Sequence, residues 1–299
     1  MLNTPVLLIC FNRADHVRRL LASIREVQPA QLYIAQDGPR SDRPDDKAKI
    51  LLVRDVITEL VDWPCNLHTL YQEKNLGCGP GPYAAMSWFF SQVEYGIVFE
   101  DDLDPHPLCF EYIEELLVRY KDEPRVGLVT AHNQKRIYTG KNTYYFTYNM
   151  AGTLGWGTWA RVWKNFDFNI QYNHDAFDKA LMEFYHLPKP YRDYENHLYA
   201  KWITGSRHDV WDHQFKYYLL MNGYLDAKPN CCLVSHLGTD ADATHTGYVD
   251  PGYLMDIHEN LFHPILHPKE VIVDAFEMRR ARIKSLKVLI KRILGLINY

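Results

Sequence analysis

The sequence predicts an α/β fold: a doubly wound, mostly parallel sheet flanked by helices, with a basic amphipathic helix at the C-terminus. Three observations predict it. Short apolar runs alternate with longer stretches of helical period through roughly the first 105 residues. Their order is strand, helix, strand, helix, strand, helix, strand, and that order joins parallel strands through crossover helices. Each strand-like run also stops abruptly in polar residues, as in ICFNR, IAQDG and GIVFEDD. In open α/β sheets the carboxyl ends of the strands form the ligand crevice, so these endings should converge.

Taken in order, PVLLICF (5–11) reads as a buried strand. ADHVRRLLASIREV (14–27) reads as a helix, with Val17, Leu20, Leu21 and Ile24 on one face. QLYIAQDG (31–38) is a second strand and turn, and a charged loop leads into a helix over roughly 49–63. NLHTLYQEKNLG (66–77) is a third strand and turn, GPYAAMSWFFSQV (81–93) a helix, and GIVFEDD (96–102) a fourth strand. Beyond residue 105 the pattern loosens. It predicts a helix over 110–123, a strand over 126–131, a helix over 210–223 ended by Gly223, and a late strand over 230–238. The aromatic and glycine mixture TYYFTYNMAGTLGWGTWARVWKNF implies close backbone approach around a pocket. Residues 171–210 read as helices and loops.

Composition narrows the class. The 299 residues are 47% hydrophobic and 23% charged, enough for one large α/β domain or two small ones. A net charge of −4 argues against a nucleic-acid partner, which calls for a basic surplus. Cys10, Cys65, Cys78, Cys109, Cys231 and Cys232 form no CxxC pair, which favours reduced thiols. The N-terminal apolar run is short and lacks a basic leader, and no segment approaches membrane-spanning length. The expectation is a cytoplasmic chain, peripheral at the inner membrane face if its C-terminal helix binds lipid.

The chemistry concentrates in GIVFEDDLDPHPLCF, residues 96–110. An apolar run drives into Glu100, Asp101 and Asp102, with Asp104 close behind. Adjacent carboxylates repel and resist burial, so a compensating charge is required. A Mg²⁺ or Mn²⁺ ion shared with a substrate diphosphate would supply it. The plainer alternative is a solvated acidic turn.

IVFEDDLDPHPLCFEY resembles the DXD-type segment of GT-A glycosyltransferases, in the branch similar to N-acetylglucosaminyltransferase I and the bacterial family-2-like enzymes. Further pieces follow in the family's order over roughly residues 4–247. ICFNR offers Asn12 and Arg13 near the nucleotide phosphates, and IAQDG offers Asp37 to the base. The NLG turn supplies Asn75 and Gly77, and TLGWGTWARVW supplies Gly155 and Trp156. VWDHQF offers Asp212 as the catalytic base, with Asp209 as the alternative because His213 stands where the animal enzymes carry a second acid.

The resemblance implies a Rossmann-like GT-A domain over 1–265, with a nucleotide-binding half (1–105), an acceptor-side half (106–265) and a helical appendix (266–299). It further implies Asp102 as a direct Mn²⁺ or Mg²⁺ ligand, with Glu100 and Asp101 nearer the donor sugar or ribose. The acids here are adjacent rather than spaced as Asp-X-Asp, a variant the branch also shows. His245 in DADATHTG would complete the metal shell, with His236 competing for the role. The implied activity is inverting transfer from a nucleotide-diphosphate sugar, with uridine favoured, to a carbohydrate or glycolipid hydroxyl.

Alternatives remain beside it. A sugar-nucleotide nucleotidyltransferase would share the fold and metal site but calls for a Gly-rich basic loop after the first strand, which ICFNRADHV lacks. A non-catalytic sugar-binding protein on the same scaffold would keep the pocket without a working base. A zinc centre in HDVWDH has no HExxH-type spacing and leaves the acidic block unexplained. The C-terminal stretch carries Arg279, Arg280, Arg282, Lys284, Lys287, Lys291 and Arg292, with no acid after Glu277. A basic amphipathic helix over 279–299 would suit either a membrane surface or a docked terminal helix. Acceptor specificity is expected in 132–150 and 171–208.

Overall fold

The computed structural model describes every residue except 134–140, 151, 206–209, 238–253, 258 and 298–299. Its first half runs β1 (Val6–Cys10), α1 (Ala14–Val27), β2 (Gln31–Gln36), α2 (Asp46–Leu60), β3 (Asn66–Tyr71), α3 (Pro80–Phe90) and β4 (Tyr95–Glu100). Then follow β5 (Leu103–Pro105), α4 (Pro107–Arg119), β6 (Val126–Thr130), β7 (Tyr144–Thr147), β8 (Trp156–Trp159) and α5 (Ala160–Trp163). The chain continues through α6 (His174–Glu183), α7 (Lys189–Thr204), α8 (Trp211–Met221), β9 (Leu225–Pro229), β10 (Val234–His236) and α9 (Ala275–Ile293).

Among the described residues the main sheet has eight strands in the order β3-β2-β1-β4-β8-β6-β9-β7. The first four are mutually parallel, β8 and β7 run against their neighbours, and β6 pairs in parallel with β9. The fold is therefore α/β with a mostly parallel sheet flanked by helices. The strand β1 reads VLLIC without polar alternation because helices cover both faces of a parallel sheet. The helix face expected on α1 is the buried one, with Val17, Leu20, Leu21 and Ile24 inside.

Strand order reverses at β1, which pairs with β2 on one side and β4 on the other. Ile9 lies opposite Glu100, so the loop after β1 and the acids after β4 share one crevice. A smaller antiparallel sheet joins β10 to β5, with Ser235 opposite Asp104 and His236 opposite Leu103. The late strand predicted over 230–238 thus contracts to Val234–His236 and leaves the main sheet.

The reading of the second half omits three short strands of the main sheet, β7, β8 and β9. β9 hides best, because LDAKP carries an acid and a lysine yet is buried throughout. Thr130 donates to both Asp226 carboxylate oxygens at 3.1 Å, and Lys228 Nζ lies 3.4 Å from Oδ2. Lys228 also donates to the Asn149 carbonyl at 2.6 Å. Burial raises the Asp226 carboxyl to about 6 even against Lys228 and Thr130. No helix among the described residues is long and apolar enough to cross a membrane.

Removing one member of a buried ion pair leaves the other uncompensated, so Asp226→Ala should lower the unfolding free energy by about 3–5 kcal/mol. The pair Asp226→Leu with Lys228→Met should cost markedly less. Urea denaturation of the three proteins checks this, and equal losses would show that the charges carry no mutual dependence.

Candidate active site

The connection from β1 to α1 is only Phe11, Asn12 and Arg13, and it projects Arg13 across the crevice. The guanidinium donates to Asp101 Oδ1 and lies 3.4 Å from Asp102 Oδ2. The Phe11 amide donates to Asp101 Oδ2 at 3.3 Å. Asp101 is buried, and the adjacent Glu100 and Asp102 leave three carboxylates facing one guanidinium.

Burial, then repulsion from Asp102, Asp101 and Asp212, raises Glu100 to about 8. Burial also raises Asp101, against the pull of Arg13. Asp102 behaves oppositely. Burial works against its charge, but His236 and Arg13 outweigh that and hold the carboxyl below its ordinary value. His236 Nε2 stands 3.5 Å from Asp102 Oδ2, placed there by the pairing of β10 with β5. The surplus negative charge and the proton retained on Glu100 suit a divalent cation at this point. Among the described residues no cluster of three His, Cys, Asp or Glu side chains closes as a ready-made cage. Water or substrate oxygens would finish the shell. His245, expected in that shell, lies outside the described residues, as does Asp209.

The nucleotide-side residues hold one another. Asp37 Oδ1 accepts from the amides of Gly38 at 2.8 Å and Leu76 at 2.9 Å. Its Oδ2 accepts from Asn75 Nδ2 at 2.9 Å and from the Leu76 and Gly77 amides at 3.1 Å. With both oxygens engaged, Asp37 organises the turn of Asn75 and Gly77 that leads into α3. Gly38 is required beneath it, since a Cβ there would stand 2.5 Å from the Lys74 backbone. Asn12 donates to buried Asp46 at 2.8 Å, and Arg40 clamps the same carboxylate, holding it well below the usual range. The sequence reading misses Asp46, whose only local signal is its place at the start of α2.

One expectation meets a correction. Trp156 does not reach the crevice: it is 1% exposed, stacked on Trp211 with ring centroids 5.7 Å apart. The bulky indole fills the core of the strand-helix interface instead of a pocket. Gly155 adopts φ +62° with Phe99 so close that a Cβ would meet its ring at 2.9 Å, so the position requires glycine.

Beyond His236 a cavity of about 980 Å³ opens, lined among others by Asp212, Lys216, Glu195, Arg280 and Lys284. Asp212 sits in the first turn of α8, and Lys216 one turn later donates to its Oδ2. Burial opposes the Asp212 charge, but Lys216 and His213 prevail and hold the carboxyl below its ordinary value. The i,i+4 spacing of Lys216 was available in the sequence. Glu195, Arg280 and Lys284 come from α7 and α9, whose docking no local pattern announces. A second cavity of about 710 Å³, with Arg40, Arg43, Lys47 and Lys74 on its walls, adjoins the turn at Asn75.

No protein-family model and no curated protein matches the chain. Solved structures overlap it in part. One is a cytidylyltransferase from Leptospira borgpetersenii serovar Hardjo-bovis, with TM-score 0.34 and 10% identity over 57% of this chain and 66% of its own. Another is a 4-diphosphocytidyl-2C-methyl-D-erythritol synthase from Anaerococcus prevotii, with TM-score 0.33 and 9% identity over 53% of this chain and 73% of its own. A third is a UDP-glucose pyrophosphorylase complexed with UDP-glucose, with TM-score 0.28 and 9% identity over 48% of this chain and 62% of its own. All three are nucleotidyltransferases. The overlap spans just under two thirds of the first of them, and likeness this partial decides no chemistry.

The proton on Glu100 sets a pH dependence. Its folded value of about 8 exceeds the ordinary value of about 4.3, so its stabilising contribution is complete in acid and fades as pH rises through 8. The metal-free protein should therefore lose melting temperature from about pH 4 to about pH 8 and little more above that, and Mn²⁺ should restore more of it at the alkaline end. Thermal melts with and without Mn²⁺ check this. Asp102→Asn should abolish the Mn²⁺ effect.

Proposed function

We propose that this chain is an inverting, metal-dependent glycosyltransferase that moves a sugar from a nucleotide-diphosphate donor to a hydroxyl acceptor. One observation carries the reading. An acidic block countered by a single arginine lies at the strand-order switch, and His236 links it to a cavity whose wall holds the carboxylate Asp212.

Each group then has work suited to its chemistry. Asp102, with His236 beside it, would hold a divalent cation, which supplies charge neutralisation to a departing diphosphate. Arg13 adds its own positive charge on the nucleotide side of the same crevice. Asp212 stays ionised through the neutral range and accepts the acceptor hydroxyl's proton. Its depressed proton affinity makes it a weak base until Lys216 turns to another partner, such as the sugar oxygens. One carboxylate acting in a single displacement inverts the anomeric carbon. A uracil or thymine edge would be read near the turn that Asp37 holds, with surface polysaccharide or glycolipid synthesis as the setting.

The second reading is nucleotidyl transfer, the class of the three solved structures named above. Against it stands the loop after β1, which has no glycine and ties Asn12 to Asp46 rather than presenting amides to a triphosphate. A sugar-binding scaffold without catalysis is the third, and Asp212 distinguishes it.

Calorimetric titration of UDP, GDP and dTDP with and without Mn²⁺ should give manganese-dependent binding of one nucleotide, lost in Asp102→Asn. Asp212→Asn should keep that binding while transfer, read as nucleotide diphosphate release, falls by about 10²–10⁴-fold. Pyrophosphate release from a nucleoside triphosphate and a sugar 1-phosphate would establish the second reading instead. Binding of no nucleotide diphosphate would sink the proposal.

A further inference from the structure

The helix α9 is amphipathic the wrong way round for a docked helix. The face it turns inward is Glu277, Ala281, Ser285 and Val288, mostly small or polar. Its large aliphatics point outward: Ile283, Leu286, Leu289, Ile290, Ile293 and Leu294 are between 43% and 76% exposed. At 3.6 residues per turn these six cover an arc of about 140°. Beside that arc runs a basic stripe, Arg280, Lys284, Lys287 and Lys291, spaced by four, three and four residues.

Docking holds this orientation in place. Arg292 donates to Asp193 at 2.7 Å and Lys284 lies 3.9 Å from Glu195, both acids on α7. Lys284 Nζ also sits 3.8 Å from the Tyr194 ring centroid. The apolar arc is therefore not a helix waiting to roll inward, since its opposite face is already engaged. Arg280, Lys284 and Lys287 meanwhile line the large cavity, together with Ile283 at its rim.

We propose that α9 seats the chain on an anionic bilayer surface, with the mouth of the cavity at the level of the lipid headgroups. Apolar side chains enter the interface while Lys287 and Lys291 meet lipid phosphates, the arrangement by which interfacial helices bind. A second copy of this chain is the less suitable occupant. Pairing two such faces would bring together basic helices that have no acid after Glu277. The chain as a whole carries −4, so attraction to an anionic surface requires the local concentration of cations that α9 provides. This inference goes beyond the glycosyl-transfer reading and is tested without substrate.

The test is sedimentation of the full chain with phosphatidylcholine vesicles, with or without phosphatidylglycerol. Binding should require phosphatidylglycerol and weaken with added salt. The variant Leu286→Glu, Ile290→Glu, Ile293→Glu should bind at least about tenfold less, as should Lys287→Glu with Lys291→Glu. Circular dichroism melts and retained nucleotide binding by the first variant would establish that the fold survives. No sedimentation with phosphatidylglycerol vesicles, or sedimentation unchanged in both variants, overturns the proposal. So does a dimer in light scattering that the first variant dissolves, which would assign the arc to a second copy. Failure here leaves nucleotide binding untouched, whereas failure of the transferase reading would appear in the calorimetry and leave vesicle binding intact.

Discussion

The contact between Arg13 and the carboxylates of Asp101 and Asp102 is the constraint on which the site depends. Three acids in sequence could not stand at the end of β4 without a counter-charge, and the loop after β1, its parallel neighbour, delivers the arginine that meets two of them. The register that sets Ile9 against Glu100 is therefore an electrostatic requirement as much as a packing one. It also explains why the connection into α1 is short. A longer loop would let Arg13 swing to solvent and leave the acids to find protons.

The same arithmetic separates the carboxylates by role. Glu100, half-buried and crowded by acids, has its proton affinity raised to about 8, while Asp102 and Asp212 are held ionised by cations placed beside them. Strongly perturbed proton affinities of this kind gather at functional sites. The partners enforcing the divergence, His236 and Lys216, arrive from a late strand and a late helix. Two halves of the chain thus meet at one crevice, and α9, a helix that local pattern assigns to an appendix, walls part of the cavity beyond it.

Much of the first half was legible in the sequence, because a parallel sheet wound through crossover helices obeys local rules. Apolar runs without alternation mark its strands, helical spacing marks the crossovers, and polar residues mark the strand ends. Arg13 and Glu100 to Asp102 could be placed together for that reason alone. Asp37 and Asn75 could also be brought together, although that carboxylate serves the turn by accepting from its amides.

Past β5 the chain ceases to be legible in this way. Asp226 and Lys228 carry no local sign that each answers the other's charge inside β9. Trp156 reads as a pocket residue beside its glycines, yet the indoles and phenyl rings of Trp163, Trp211 and Phe215 enclose it. By itself the sequence determined the α/β class, the convergence of the first strands' ends and the acidic block, since each follows from periodicity and from charge that must be compensated nearby. Tertiary structure alone decided where His236 falls, which residues wall the cavity beside Asp212 and which face of α9 turns outward. Those outcomes rest on contacts between elements far apart in the chain, and no local pattern carries their energy.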